Sequence, residues 1–376
     1  MSSFRFNQQG GIERASYEVA MHLADRVALT LVANDVTPPA PAPLEWLRVE
    51  AATRPSFIIP LTYSTAATRA IGHGGFDLLH NQGGCALREQ DVITAHSCHR
   101  AWWRMKFQQG EAARALLNPL HHAVLHVERQ NYRPGAFRRV IAVSAGVGRE
   151  LTTHYDVDPE RISVIPNGVD IERFRPVDAD ARRARIRSSH GIPADAVVLL
   201  FVGKEFRRKG LAALIDALPH LPETAVALVV GGDDPAPFRQ QASARGVAHR
   251  VIFAGHSTAV EDYFQAGDVF VFPTLYEAFA LVTLEAAAAG LPLVTTEVNG
   301  TEDFVVDGEN GRFVERTGAS VARALEPLVR DRDLRRAWGD RARRDVAAYT
   351  WAAVADRTLA VYEEVLEEKR AGQAVS

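Results

Sequence analysis

The chain has 376 residues, enough for two domains of ordinary size with separate cores. Hydrophobic residues make up 47% and charged residues 24%, which excludes a disordered chain, and a net charge of −3 gives no overall nucleic-acid signal. Cys85 and Cys98 have no metal-ligand spacing, no apolar run reaches membrane-span length and the N-terminus has no signal-peptide pattern. A cytoplasmic protein is expected, with any membrane contact peripheral and from the inner face.

Short apolar runs alternate with helical patterns, the signature of parallel βα units. In the first half, strands are expected at Ser3–Phe6, Arg26–Ala33, Phe76–His80, Asp91–Ala95 and Arg139–Val143. Helical patterns run over Ile12–Ala24, Ile59–Ile71, Arg100–Arg129 and Ala145–His154. The proline-rich stretch from Val36 to Pro60 reads as a surface connection, and Pro166-Asn167-Gly168, after a last strand, as an interdomain hinge. A second series has strands at Ala196–Val202, Ala225–Val230, Arg250–Phe253, Asp268–Phe272 and Leu291–Thr295; after Arg316 the chain is mostly helical. The expected domains are residues 1–165, residues 166–350 and a C-terminal helix at 351–376 that packs back toward the first.

Three strand-end segments carry candidate chemistry. Gly10-Gly11 follows the first strand and opens a helix, where the backbone can approach a phosphate or sugar closely. Gly203 to Gly210, GKEFRRKG, sets Lys204, Arg207, Arg208 and Lys209 in one loop, a cationic cluster suited to a diphosphate. Pro273 to Gly290, PTLYEAFALVTLEAAAAG, places Glu277 on a strand-to-helix turn and Glu285 about one turn into the helix, seven residues apart. Such a turn suits a ligand with both hydroxyls and phosphates. Taken alone, each segment also has a structural reading: a tight turn, a solvated charged loop, a helix stabilised by its own acids.

In this order, the segments resemble the retaining glycosyltransferases of family 4, which have the GT-B fold, an α/β architecture of two Rossmann-like doubly wound domains facing a cleft. The resemblance rests on Gly10-Gly11-Ile12-Glu13-Arg14, Ile165-Pro166-Asn167-Gly168-Val169-Asp170, Gly203 with Lys209-Gly210, the Glu277/Glu285 pair, Ala289 to Val294, and Trp351. It implies that Glu277 contacts the donor sugar and Glu285 the ribose, and that amides from Phe279 through Ala280 to Leu281 hold the donor. Lys209, helped by Arg208 and Lys204, would neutralise the departing diphosphate. His96 would approach the donor sugar from the N-terminal domain; as a residue alone, it reads first as an ordinary polar loop histidine. Lys204 stands where many relatives carry Arg, and Ala280 where most carry Gly. Asn299-Gly300 stands for a frequent Gly-Gly, a change expected to touch only its loop.

The donor implied is a nucleoside-diphosphate sugar, UDP- or GDP-linked, with no cofactor and no metal. Both Asp-x-Asp patterns, Asp178-Ala179-Asp180 and Asp331-Arg332-Asp333, read as solvated helical faces. Within the family, EAFALVTLEAAAAGLPLVTTEVNG and FRRKG look nearest to the lipopolysaccharide core glucosyltransferase type. The implied acceptor is a hydroxyl of a bacterial envelope glycan or glycolipid, of lipopolysaccharide or exopolysaccharide type. Arg100, Trp102, Trp103, Arg104 and Lys106 form a mixed aromatic and cationic stretch suited to an anionic membrane surface, or to a helix with one Trp in the core. The rival readings are a nucleotide-sugar epimerase on a similar fold and a non-catalytic glycan-binding protein.

Overall fold

The computed structural model describes residues 1–376 apart from 8–9, 38–43, 73–74, 111, 176–177 and 375–376. The chain divides into two compact units, Met1–Gly168 with Trp351–Ser376, and Val169–Thr350. Residues 38–43 of the proline-rich stretch expected as a connection lie outside the described residues.

The N-terminal unit contains β1 (Arg5–Asn7), β2 (Thr30–Ala33), β3 (Asp35–Thr37), β4 (Glu45–Arg48), β5 (His80–Asn81), β6 (Val92–Ala95), β7 (Arg139–Ala142) and β8 (Ile162–Val164). Every strand pair is parallel, in the groups β2-β4, β1-β3 and β5-β6-β7-β8. Ser2 bridges to both Val32 and Asn81, so the start of the chain runs between β2 and β5. The short β3 and β4 were not legible in a stretch dominated by proline.

The single helix expected over Arg100–Arg129 is instead three, His99–Gln108, Ala112–Leu117 and Pro119–Asn131. Gly110 takes φ +78° after the first, and the Asn118 side chain accepts from the Leu120 N–H to cap the third, with Pro119 at its first position. The C-terminal helix Trp351–Ala374 packs on the Ile12–Leu23 helix, with Arg26 2.5 Å from Asp356 and Lys369 donating to the Asp77 carbonyl at 2.6 Å.

The C-terminal unit has one parallel sheet of β9 (Val197–Val202), β10 (Ala225–Val230), β11 (Val251–Gly255), β12 (Val269–Phe272), β13 (Leu293–Thr295) and β14 (Gly311–Phe313). Their order across the sheet is β11-β10-β9-β12-β13-β14, the doubly wound arrangement in which chain direction across the sheet reverses between β9 and β12. All residues of β9, β10 and β12 are buried, as their unbroken apolar runs require of strands covered on both faces. Leu199, Phe201, Ala227 and Val229 pack with Leu214, Leu325 and Leu328 from the covering helices. This core holds the ends of β9 and β12 side by side, and the two loops that leave those ends flank the switch point.

Candidate active site

Within the basic loop after β9, Phe206–Lys209 forms one helical turn where the sequence suggested only a loop. Phe206 anchors it: the ring is buried 5.9 Å from Phe201, and its N–H donates to Asp233 at 2.8 Å. Gly210, at φ +86°, ends the turn. A Cβ on Gly210 would lie 2.0 Å from the Pro273 carbonyl, so the loops after β9 and β12 meet only because this residue has no side chain. The Leu275 N–H donates to the Arg208 carbonyl at 2.9 Å and ties the loops together again.

The charged centre follows from that contact. Glu277 Oε1 accepts from Arg208 Nη1 at 2.8 Å, Lys209 Nζ at 3.1 Å and Thr274 Oγ1 at 3.0 Å. Lys209 Nζ also lies 4.5 Å from the centre of the Phe272 ring. Burial lowers the Lys209 pKa from its ordinary value, opposed by the adjacent Glu277 carboxylate. For Arg208 burial acts in the same sense, but Glu277 on one side and Glu205 on the other outweigh it and raise its pKa. Arg208 also donates to the Tyr276 carbonyl at 2.6 Å, which fixes the direction of its fork. Lys204, by contrast, is exposed. The structure thus brings Glu277, Lys209 and Arg208 together and leaves Lys204 outside their hydrogen bonds.

After Glu277 the chain enters the Leu281–Ala288 helix. Phe279 and Ala280 are buried ahead of it, Leu281 is half-buried, and Glu285 is 9% exposed on its second turn. Ala280 has φ 18° and ψ 57° at the turn. Gly300 takes φ +83°, and a Cβ there would stand 2.6 Å from Phe279 Cα. The Asn299-Gly300 segment therefore bears on the backbone beside Glu277, not only on its own loop.

Three residues of this region escaped the sequence reading. Thr274 positions the carboxylate directly, and its own carbonyl accepts from Thr296 Oγ1 at 2.5 Å. Arg316 donates through Nε to the Pro273 carbonyl and through Nη2 to the Arg207 carbonyl, both at 2.9 Å, clasping the two loops from the segment after β14. A hydroxyl directly after an apolar strand is a usable signal for Thr274; nothing local distinguishes Arg316.

In the N-terminal unit, Gly10 has φ +85°, and Gly11 precedes the Ile12–Leu23 helix; both are exposed. His96, separated from the His99–Gln108 helix by Ser97 and Cys98, lies just after β6 with its Nε2 3.1 Å from Gln82 Oε1. Burial pushes its pKa down to about 4, so the ring is neutral at physiological pH.

The aromatic and cationic stretch is helical. Trp102 is half-buried with Lys106 Nζ 5.1 Å from its ring, Trp103 is half-buried 4.4 Å from Phe107, Arg100 lies over Tyr155 and Arg104 is exposed. Both indoles thus have neighbours from their own helix, and no helix among the described residues is long and apolar enough to cross a membrane. In the Asp-x-Asp stretches, Asp178 pairs with Arg182 at 2.7 Å, and Asp331 caps a helix by accepting from the Asp333 and Leu334 N–H groups.

Two family models match in sequence: Glycosyltransferase Family 4 over residues 9–173 and Glycosyl transferases group 1 over residues 182–345. A D-inositol 3-phosphate glycosyltransferase of Geodermatophilus obscurus is 36% identical over 249 residues, 62% of this chain. That match spans only 54% of the relative's length, little over half. One from Thermomonospora curvata is 31% identical over 320 residues, covering 77% of this chain and 72% of the relative. Among solved structures, WaaG, a glycosyltransferase involved in lipopolysaccharide biosynthesis, superposes with a TM-score of 0.78 at 23% identity, covering 95% of this chain and 97% of WaaG. Anabaena HepE in complex with UDP-glucose superposes with a TM-score of 0.73 at 18% identity, covering 96% of this chain and 98% of HepE. With a relative matched over most of both lengths and family models on both halves, the chain belongs to the family 4 glycosyltransferases and has the GT-B fold.

Proposed function

We propose that the chain transfers a sugar from a nucleoside-diphosphate sugar to an acceptor hydroxyl, with retention at the anomeric carbon and without a metal ion. The observation that carries this reading is the Glu277 carboxylate shared by Lys209 and Arg208 at the switch point of the C-terminal sheet. Open α/β sheets bind ligands at that end of their strands. A diphosphate placed against Lys209 and Arg208 takes up their positive charge as the bond to the sugar breaks, which is the electrostatic part of the catalysis. Its negative charge also favours the protonated Lys209 and offsets the effect of burial. Glu277 then has two tasks, holding the cations before the donor arrives and accepting hydrogen bonds from the sugar. Glu285, on the adjoining helix, is assigned to the ribose. HepE, a structure of the same fold, was solved with UDP-glucose, which favours a UDP-linked donor.

Retention follows the family resemblance. The acceptor hydroxyl attacks from the face that the diphosphate leaves, and the leaving group takes the proton. The test is the anomeric configuration of the first product: with an α-linked donor an α-linked product is expected, and a β-linked product would overturn the reading. Product that keeps its nucleotide with an altered sugar would point to epimerisation, and tight donor binding without turnover to a binding protein.

For the acceptor, the lipopolysaccharide or exopolysaccharide hydroxyl suggested by the sequence has a rival favoured by a specific observation. The relatives at 31–36% identity are D-inositol 3-phosphate glycosyltransferases, which favours a phosphorylated polyol. Supplying D-inositol 3-phosphate and a core-type glycolipid in parallel with one donor separates the two: transfer to the polyol phosphate alone removes the envelope-glycan reading, and transfer to the glycolipid alone removes its rival.

A further inference from the structure

Strands β5 to β8 of the N-terminal unit run parallel, so their amino ends share one edge of the sheet, opposite the edge at which His96 follows β6. Open α/β sheets bind substrates at the carboxyl edge. A cavity of about 700 Å³ lies at the other one. Leu79 immediately precedes β5, Asp91 precedes β6, Arg139 opens β7 and Arg161 precedes β8, and all four line the cavity. Glu368 and Lys369, from the C-terminal helix of the same unit, close one side.

Five cationic side chains and three carboxylates line this cavity, and their pairing is uneven. Two cations are committed to docking the C-terminal helix: Lys369 Nζ donates to Asp91 Oδ2 at 3.1 Å and to the Asp77 carbonyl at 2.6 Å, and Arg139 pairs with Glu368. Asp91 Oδ2 also accepts from the Leu79 N–H at 2.9 Å. The other three cations differ. Arg88 and Arg161 are exposed, and their guanidinium groups have no hydrogen bond or ion pair among the described residues. Arg138, its side chain 46% exposed, approaches only Asp91, with Nε 3.6 Å from Oδ1. Glu89, exposed, is the wall carboxylate without an ion pair among the described residues.

A structural role for these arginines would have them cap helix carbonyls or cancel nearby acids. None of the three does so among the described residues. Guanidinium groups gathered around one concavity repel one another, and a multiply charged oxyanion relieves that repulsion while accepting from several planar forks at once. Phe137, buried, and Phe76, half-buried, add apolar surface beside them, which suits a ring or carbon skeleton attached to the anion.

We propose that this cavity is a ligand site separate from the charged cluster of the C-terminal unit, and that it takes a soluble organic phosphate held by Arg88, Arg138 and Arg161. A lipid headgroup is the other source of such a phosphate. Against it, none of the exposed large apolar side chains lines the cavity, so nothing at its rim is fitted to enter a bilayer. The site does not depend on the transfer reading.

The experiment is isothermal titration of inorganic pyrophosphate into the full chain at low salt. Lys209→Ala is included because pyrophosphate can also enter the cluster around Lys209. Wild type and Lys209→Ala should share one pyrophosphate site, and Arg88→Ala/Arg161→Ala should weaken that site by at least about tenfold, the scale of lost charge-assisted hydrogen bonds. Glu89→Gln removes the opposing charge and should tighten it by about two- to fivefold. Arg332→Ala/Arg336→Ala, an exposed pair in the C-terminal unit, should leave it unchanged. The proposal is overturned if Arg88→Ala/Arg161→Ala binds pyrophosphate as the wild type does, if Lys209→Ala abolishes all binding, or if the Arg332/Arg336 pair costs as much as Arg88/Arg161. Sedimentation with phosphatidylglycerol vesicles that needs Arg88 and Arg161, without a pyrophosphate site that needs them, would also overturn it and give the cavity to a lipid.

Discussion

The two units build their strand-end chemistry from opposite materials. In the C-terminal unit one carboxylate oxygen accepts from a lysine, an arginine and a threonine. In the N-terminal unit the corresponding groups are a glutamine, a tyrosine, a threonine and two histidines that burial holds neutral. Fixed positive charge suits an anionic group, whereas oriented donors and acceptors without net charge suit hydroxyls.

Removing charge from the first cluster should have the largest effect. Lys209→Ala is expected to lower kcat by roughly 10²–10³-fold, the scale of losing one preorganised charge-stabilising donor, with Lys204→Ala costing much less. Equal losses in steady-state assays would break the contrast between the paired and the exposed lysine. Glu277→Gln, expected to cost about 10²-fold, sharpens it further through pH. Burial already lowers the Lys209 pKa and Glu277 opposes that, so without the carboxylate the alkaline limb of the rate profile should move to lower pH. An unmoved limb would detach Lys209 from the profile.

The contact between the two loops is a matter of shape rather than charge. Gly210→Ala drives a methyl group into the Pro273 carbonyl in a left-handed backbone conformation, and a loss of about 3 kcal/mol in unfolding free energy is expected by denaturant titration. Glu285→Ala should weaken nucleoside-diphosphate binding by about tenfold in calorimetry, the scale of one or two hydrogen bonds to a charged acceptor; unchanged affinity would remove Glu285 from the ribose.

The smallest effect belongs to the neutral network. His96 and His99 are pushed down to about 4, and His80 and His121 are also lowered, in each case chiefly by burial. Groups with a depressed folded pKa of this kind stabilise the fold fully above the unfolded histidine pKa near 6.5, and that stability is lost as pH falls toward 4. The N-terminal unit should therefore weaken over that window while hydrogen exchange in the C-terminal sheet changes less. Equal loss in both would contradict the assignment of acid sensitivity to these histidines.

Sequence alone showed the C-terminal sheet well, because β9, β10 and β12 are covered on both faces and read as unbroken apolar runs. It failed at β3, β4 and β14, whose three or four residues carry too little pattern, and at the helix broken near Gly110, where apolar spacing continues past the break. Glu277, Lys209 and Arg208 were legible as acids and cations at strand ends, where the chain's order constrains position. Arg316 and Gln82 were not. Their importance lies in hydrogen bonds to residues up to 109 positions away for Arg316 and 66 for Gln82, and no local spacing encodes such a contact.

The central claim is that the charged cluster beside β9 and β12 receives the diphosphate of the donor. Isothermal titration of UDP and GDP into the wild-type chain and Lys209→Ala tests it most directly. The structure predicts that one of the two nucleotides binds the wild type with an affinity that falls as salt rises, and that Lys209→Ala binds it at least tenfold more weakly. Equal affinity of the two proteins, or binding indifferent to salt, would contradict the account.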